Sequence, residues 1–126
     1  MNPDEPAVQQ LFDLQGRCAL VTGASGYLGG AFARALAEAG ATVIVGSRDA
    51  GRAASTASEL PSAFGQIHCG VALDYLDENS IEAGVTQAVD SVGQIDILVN
   101  NGHAADAHDL TNVKGEDFNR QLANAT

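Results

Sequence analysis

Thr22-Gly23-Ala24-Ser25-Gly26-Tyr27-Leu28-Gly29 sets three glycines at a spacing suited to holding an anion. A short apolar run, Cys18 to Thr22, leads into it, and apolar residues at helical spacing follow it. A strand, a glycine turn and a helix in that order aim backbone N–H groups and a positive helix end at a phosphate. Gly23 permits the tight turn, Gly26 lets the backbone approach a pyrophosphate, and Gly29 lets the helix pack close to the strand. A bare βα turn without ligand is the competing reading, and the α/β elements around it argue against that. His103, Asp106, His108 and Asp109 form a second group of chemical interest. Their spacing fits no established zinc pattern. A polar loop with no metal is the expectation. Cys18 and Cys69 are read as reduced thiols in buried strands.

The elements that must position the glycine turn follow from periodicity. Leu28, Phe32, Ala35, Leu36 and Ala39 form one helical face, and Gly40 ends that helix. Thr42 to Gly46 is β-branched and continuously apolar, a strand buried on both faces. Asp49 to Leu60 is Ala-rich and helical, stopped by Pro61. Residues 66–73 hold a third strand, with His68 on it. Asp77 or Asn79 caps a helix that presents Ile81, Val85, Ala88, Val89 and Val92, and Gly93 ends it. Ile95 to Val99 is a fourth strand. After a polar loop, Glu116 to Ala125 reads as a final helix with Phe118, Leu122 and Ala125 inward. The alternation βαβαβαβα predicts a mostly parallel sheet with helices on both faces.

The chain has 126 residues, the size of one small domain. Residues 1–11 read as an N-terminal arm and 12–126 as the domain. The net charge of −10 opposes binding to nucleic acid or an anionic membrane. Residues 1–60 carry a net −2 and residues 61–126 a net −8, so the acidity lies mostly away from the glycine turn. No apolar run approaches the ~20 residues of a spanning helix. The acidic, Pro-containing start resembles neither a signal nor a transit peptide, and a cytoplasmic protein is expected.

Four stretches together resemble the short-chain dehydrogenase/reductase family. Leu14 to Gly23 looks like its opening strand, and Thr22 to Gly29 like its phosphate turn. Leu73-Asp74 before a helix looks like the stretch that carries its adenine-pocket Asp, here Asp74, with Tyr75 adjoining. Ile95-Asp96-Ile97-Leu98-Val99-Asn100-Asn101 looks like its Asn-Asn strand, continued here by Gly102-His103. The resemblance implies a Rossmann-type three-layer sheet of order 3-2-1-4, the N-terminal half of a doubly wound domain. The fourth strand is then an edge, an aggregation liability. Cys18 and Cys69 then lie two strand spacings apart, roughly 10 Å, too far for a disulfide. Tyr27 stands where the commoner subclass has glycine, and the Gly26 spacing is that of the extended subclass acting on nucleotide sugars.

The family resemblance also implies a nicotinamide dinucleotide and a small carbonyl or alcohol substrate. Gly23, Ser25, Gly26, Tyr27, Leu28, Gly29, Ser47, Arg48, Asp74, Tyr75, Asn101 and Gly102 are the residues expected to bind the cofactor. Ser47 occupies the place of an NAD-selecting acid, and Arg48 offers a guanidinium to a 2′-phosphate, so NADP is preferred over NAD. Asp49 is read as the cap of the next helix, the alternative being a pair with Arg48 that would weaken the phosphate site. The family's Tyr-x-x-x-Lys is absent: Ala31 lies four residues after Tyr27, Asn79 four after Tyr75, and Lys114 is the one lysine. An unaided phenol of pKa ~10 is a weak base at neutral pH, so that pair matters. Asn124 aligns with the family's structural and proton-relay Asn. The reading is the cofactor-binding half of an oxidoreductase, inactive alone, from an assembly of identical chains. A non-catalytic nucleotide-binding or interaction module is one alternative, and an extended-subclass enzyme acting on nucleotide sugars, favoured by the Gly26 spacing and opposed by Asn100-Asn101, is another.

Overall fold

The computed structural model describes residues 2–102 and 111–125, with side chains as far as 123. A single-turn helix α1 (Val8–Leu11) precedes β1 (Cys18–Thr22), α2 (Tyr27–Glu38), β2 (Thr42–Ser47) and α3 (Ala50–Ser58). Then come β3 (Cys69–Ala72), α4 (Glu78–Val92), β4 (Ile97–Val99) and α5 (Gly115–Ala125). The four strands form one sheet in the order β3-β2-β1-β4. All pairings are parallel, with Leu20 opposite both Ile44 and Leu98, and Val45 opposite Gly70.

Period-two alternation along the strands builds two cores. Val21, Val43 and Val45 face α2 and α3, where Ala33, Ala37, Ala53 and Ala57 meet them. Leu20, Ile44 and Val71 face the other way and pack with Ala88 of α4, flanked by Ile81, Val85 and Val92. Small residues let the helices sit close. A Cβ on Gly70 would lie 2.5 Å from the Ala54 backbone nitrogen. Asp77 caps α4 by accepting from the Asn79 and Ser80 N–H groups, which settles the choice of cap. Gly93, at φ 87°, ends that helix.

Several expectations are corrected. The core-facing stripe of α2 is Gly29, Ala33 and Ala37, with Leu36 half-buried. Leu28 and Phe32 are 56% and 41% exposed. The tight Gly29 contact with the turn rotates the helix so that its small residues, one position along, meet the sheet. Val89 of α4 is likewise more exposed than expected, at 39%. Phe118 and Leu122 of α5 are exposed rather than inward. Among the described residues the sheet ends at the three-residue β4, which offers α5 no broad apolar face to cover.

His68 precedes β3 rather than lying on it. Its Nδ1 accepts from the buried Val43 N–H at 3.0 Å, and its Nε2 lies 2.9 Å from the Pro61 carbonyl. A neutral ring protonated at Nε2 satisfies both, so an imidazole extends the β2 ladder where β3 has not begun. Gln66 donates to the Ala37 carbonyl in the last turn of α2 and to the Ala41 carbonyl just after that helix. At the other edge, Asp96 replaces the start of the expected fourth strand. Its N–H donates to the Cys18 carbonyl at 2.8 Å, and its carboxylate accepts from the Cys18 N–H at 2.8 Å.

Both cysteines are free; Cys18 is buried and Cys69 half-buried. Burial, and secondarily the Asp96 charge, pushes the Cys18 thiol pKa up. Burial, then Cys18, raises that of Cys69 against an opposing Ser91 hydrogen bond.

Candidate functional site

The C-terminal ends of the strands open on one cleft of about 410 Å³, within the ~300–1,000 Å³ range of small-molecule sites. It lies where β1 has β2 on one side and β4 on the other, the place at which α/β sheets hold ligands.

The turn after β1 forms one wall. Gly23 has φ +63°, a left-handed conformation that costs glycine nothing. Gly26 caps α2 at the N-terminal end and directs its N–H back to the Gly23 carbonyl at 3.1 Å. A Cβ on Gly29 would overlap the Gly23 carbonyl oxygen and stand 2.6 Å from Asn101 Nδ2. Tyr27 and Leu28 sit on the rim, Tyr27 almost wholly exposed.

The segment after β4 forms the opposite wall, and Thr22 joins the two. Its buried hydroxyl accepts from the Asn101 N–H at 2.9 Å and the Gly102 N–H at 3.2 Å. The same hydroxyl donates to the Val99 carbonyl at 3.3 Å. Asn101 Nδ2 reaches the Gly23 carbonyl at 3.4 Å. Gly102 is glycine for lack of room: a Cβ would lie 2.5 Å from Tyr75 Cδ1.

Beyond β2 the cleft turns polar. Ser25 Oγ donates to Ser47 Oγ at 3.1 Å, and the Asp49 N–H donates to Ser47 Oγ at 3.4 Å. Asp49 caps α3, its carboxylate accepting from the Arg52 N–H at 2.9 Å. Arg48 and Arg52 both line this end.

Most of the residues singled out in the sequence therefore converge on one cleft: the glycine turn, Ser25, Ser47, Arg48, Tyr75, Asn101 and Gly102. Asp74 does not line it, although its neighbours Leu73 and Tyr75 do. The Asp74 carboxylate accepts from the Leu76 N–H, and its own N–H donates to Ser80 Oγ. Asn124 lies on α5, its side chain outside the described residues. The run from His103 to Asp109 also lies outside them. Sequence reasoning missed Leu73 and Arg52 as lining residues, and Thr22 as the clasp. The signal for Arg52 was its place four residues past Arg48, inside the first turn of α3. For Thr22 it was a lone hydroxyl ending an otherwise apolar buried strand.

The sequence model of the short chain dehydrogenase family matches residues 17–124. The chain belongs to the short-chain dehydrogenase/reductase family. It is 36% identical to a sorbitol dehydrogenase of Cereibacter sphaeroides over 110 residues, covering 87% of this chain and 41% of that protein. It is 41% identical over 107 residues to the 3-oxoacyl-[acyl-carrier-protein] reductase FabG of Vibrio harveyi, covering 85% and 42%. A short-chain type dehydrogenase/reductase from Mycobacterium marinum superposes with a TM-score of 0.77 at 32% identity, covering 92% of this chain and 47% of that one. A Brucella melitensis 3-ketoacyl-(acyl-carrier-protein) reductase solved in complex with NADH superposes at 0.70 and 33% identity, covering 88% and 44%. The chain spans about two fifths of the length of the curated relatives it matches. Among the described residues of this family member, no helix is long and apolar enough to cross a membrane.

Proposed function

We propose that this chain provides the nicotinamide-dinucleotide site of an oxidoreductase that interconverts a ketone and a secondary alcohol. The observation that carries the reading is the cleft itself, where a glycine turn and the N-terminus of α2 face Asn101 and Gly102 across the switch point. The donor set fits such a ligand. The bare Gly23–Gly26 backbone and the helix end suit a pyrophosphate, since no side chain of those glycines stands in front of it. Ser47 and Arg48 suit the adenosine ribose with a 2′-phosphate, which favours NADP over NAD. Leu73 and Tyr75 offer apolar surface for adenine, with Asp74 held beside them. Asn101 and Gly102 bound the second ribose, and Asn124 is assigned to the proton relay.

The bound cofactor would supply hydride transfer. The residues of this chain hold and orient it. A Tyr-x-x-x-Lys pair is absent from the sequence, so the chain alone is assigned binding of the ADP-ribose part without turnover. Residues 12–126 as the binding domain, residues 1–11 as an arm, assembly of identical chains and a cytoplasmic location belong to the same proposal. Support for the activity comes from the matched dehydrogenases and reductases. Titration of the purified chain with NADPH tests the reading. Saturable binding with no oxidation of NADPH in the presence of a ketone is expected. Absence of binding, or sustained turnover by the 126-residue chain, would overturn it.

A further inference from the structure

We infer that Arg52 pairs with Arg48 as a two-guanidinium clamp for the 2′-phosphate of an NADP-type dinucleotide, and that Arg52 sets the preference for that cofactor. The inference rests on the reading of the cleft as a dinucleotide site.

The chain carries six Lys and Arg residues in all, so where they are spent matters. Arg17 lies 3.8 Å from Asp96, Arg34 2.8 Å from Glu38 and Arg120 2.6 Å from Asp117. Arg48 and Arg52 instead face the same end of the cleft, and among the described residues no carboxylate pairs with either. The one acid beside them is committed elsewhere: Asp49 Oδ1 holds the Arg52 N–H at the start of α3. Asp49 thus fixes the first turn of α3 and with it the placement of Arg52. Ser47 Oγ is engaged by Ser25 and the Asp49 N–H and adds polarity without charge.

Two unneutralised guanidinium groups in one cleft repel each other until an anion lies between them. A phosphate dianion meets that need with charge and with oxygens that match the planar donor fork. A ribose 2′-hydroxyl supplies neither. The clamp also matters against the rest of the molecule, whose net charge of −10 opposes any anionic ligand.

The test is calorimetric titration of the full chain with 2′-phospho-ADP-ribose and with ADP-ribose. The wild-type chain should favour the phosphorylated probe by about tenfold or more, and Arg52→Ala should lower that ratio by about tenfold. Arg52→Lys should lower it less, because charge remains but the fork is lost. The wild-type preference should shrink with added salt, and less steeply in Arg52→Ala. Arg34→Ala makes the same change in net charge away from the cleft and should leave the ratio unaltered. Arg52 is exposed, so the variant should unfold at the wild-type urea midpoint. A wild-type ratio in Arg52→Ala overturns the role of Arg52 while leaving the NADP reading intact. No preference in the wild-type chain overturns the clamp and the NADP reading together. Failure of both probes to bind overturns the dinucleotide site itself.

Discussion

Thr22→Val keeps the branched shape of the side chain and removes one hydroxyl. That hydroxyl makes three hydrogen bonds: with the Asn101 N–H, the Gly102 N–H and the Val99 carbonyl. Thr22 is 6% exposed, so water does not readily take its place. A buried polar group left without a partner costs ~1–3 kcal/mol. Asn101 and Gly102 are half-buried and partly within reach of solvent, which places each near the low end. The bond to Val99 is long and adds less. Together these give a loss of about 2–3 kcal/mol. With a urea slope of ~1–3 kcal/mol/M for a small domain, the midpoint should fall by roughly 1 M. Thr22→Ser keeps the hydroxyl and loses one methyl, worth about 0.8 kcal/mol, so it should retain most of the midpoint. NADPH affinity should follow the same order, because the Val variant frees the Asn101–Gly102 wall. A Val variant that melts with the wild-type chain, or no less stably than the Ser variant, would refute the clasp.

Gly29→Ala should abolish dinucleotide binding and destabilise the chain by about 1–3 kcal/mol in urea, because overpacking against backbone outweighs the ~1 kcal/mol gain in helix propensity. Its new Cβ would overlap the Gly23 carbonyl oxygen; a variant as stable as wild type with full affinity counts against a rigid turn. His68→Ala leaves the buried Val43 N–H without its acceptor and should cost about 1–3 kcal/mol, read from the urea midpoint; a change below ~0.5 kcal/mol is the scale of an ordinary surface substitution and would count against the imidazole as a ladder element. The thiols make stability depend on alkaline pH. Both are raised above the ordinary 9.0, so above that pH the folded chain holds protons that the unfolded chain releases. Stability should be undiminished below that value and fall as pH rises above it, a trend that Cys18→Ala/Cys69→Ala should flatten in denaturation curves taken across the range.

The βα alternation and the cleft's glycine wall were legible because backbone requirements dominate there. Gly23 must adopt positive φ and Gly29 must lack a Cβ, and sequence records both directly. The rotation of α2 was not legible. Leu28-Phe32-Leu36 and Gly29-Ala33-Ala37 are neighbouring stripes of the same period, and hydrophobicity favours the first. Closeness of approach decides for the second, and that is a property of the sheet. His68 and Gln66 were hidden for another reason. Each supplies a side chain where a backbone partner is expected: His68 to the Val43 N–H of β2, Gln66 to carbonyls at the end of α2. Arg52 was obscured by Asp49, whose capping role and whose proximity to two arginines look alike until the hydrogen bond is seen.

The two walls of the cleft hang from elements of unequal standing. Gly23 to Gly29 follow β1, which has a strand on each side, whereas Asn101 and Gly102 follow β4, three residues long and, among the described residues, paired with β1 alone. Strands held on one side open locally more often than those held on both. A ligand that touches both walls binds only chains in which β4 is seated, and its apparent affinity is reduced by the fraction that are not. Substitutions remote from any ligand atom would then tune affinity through this seating equilibrium. Asp96, whose carboxylate fastens the entry of β4 to the Cys18 N–H, is such a position.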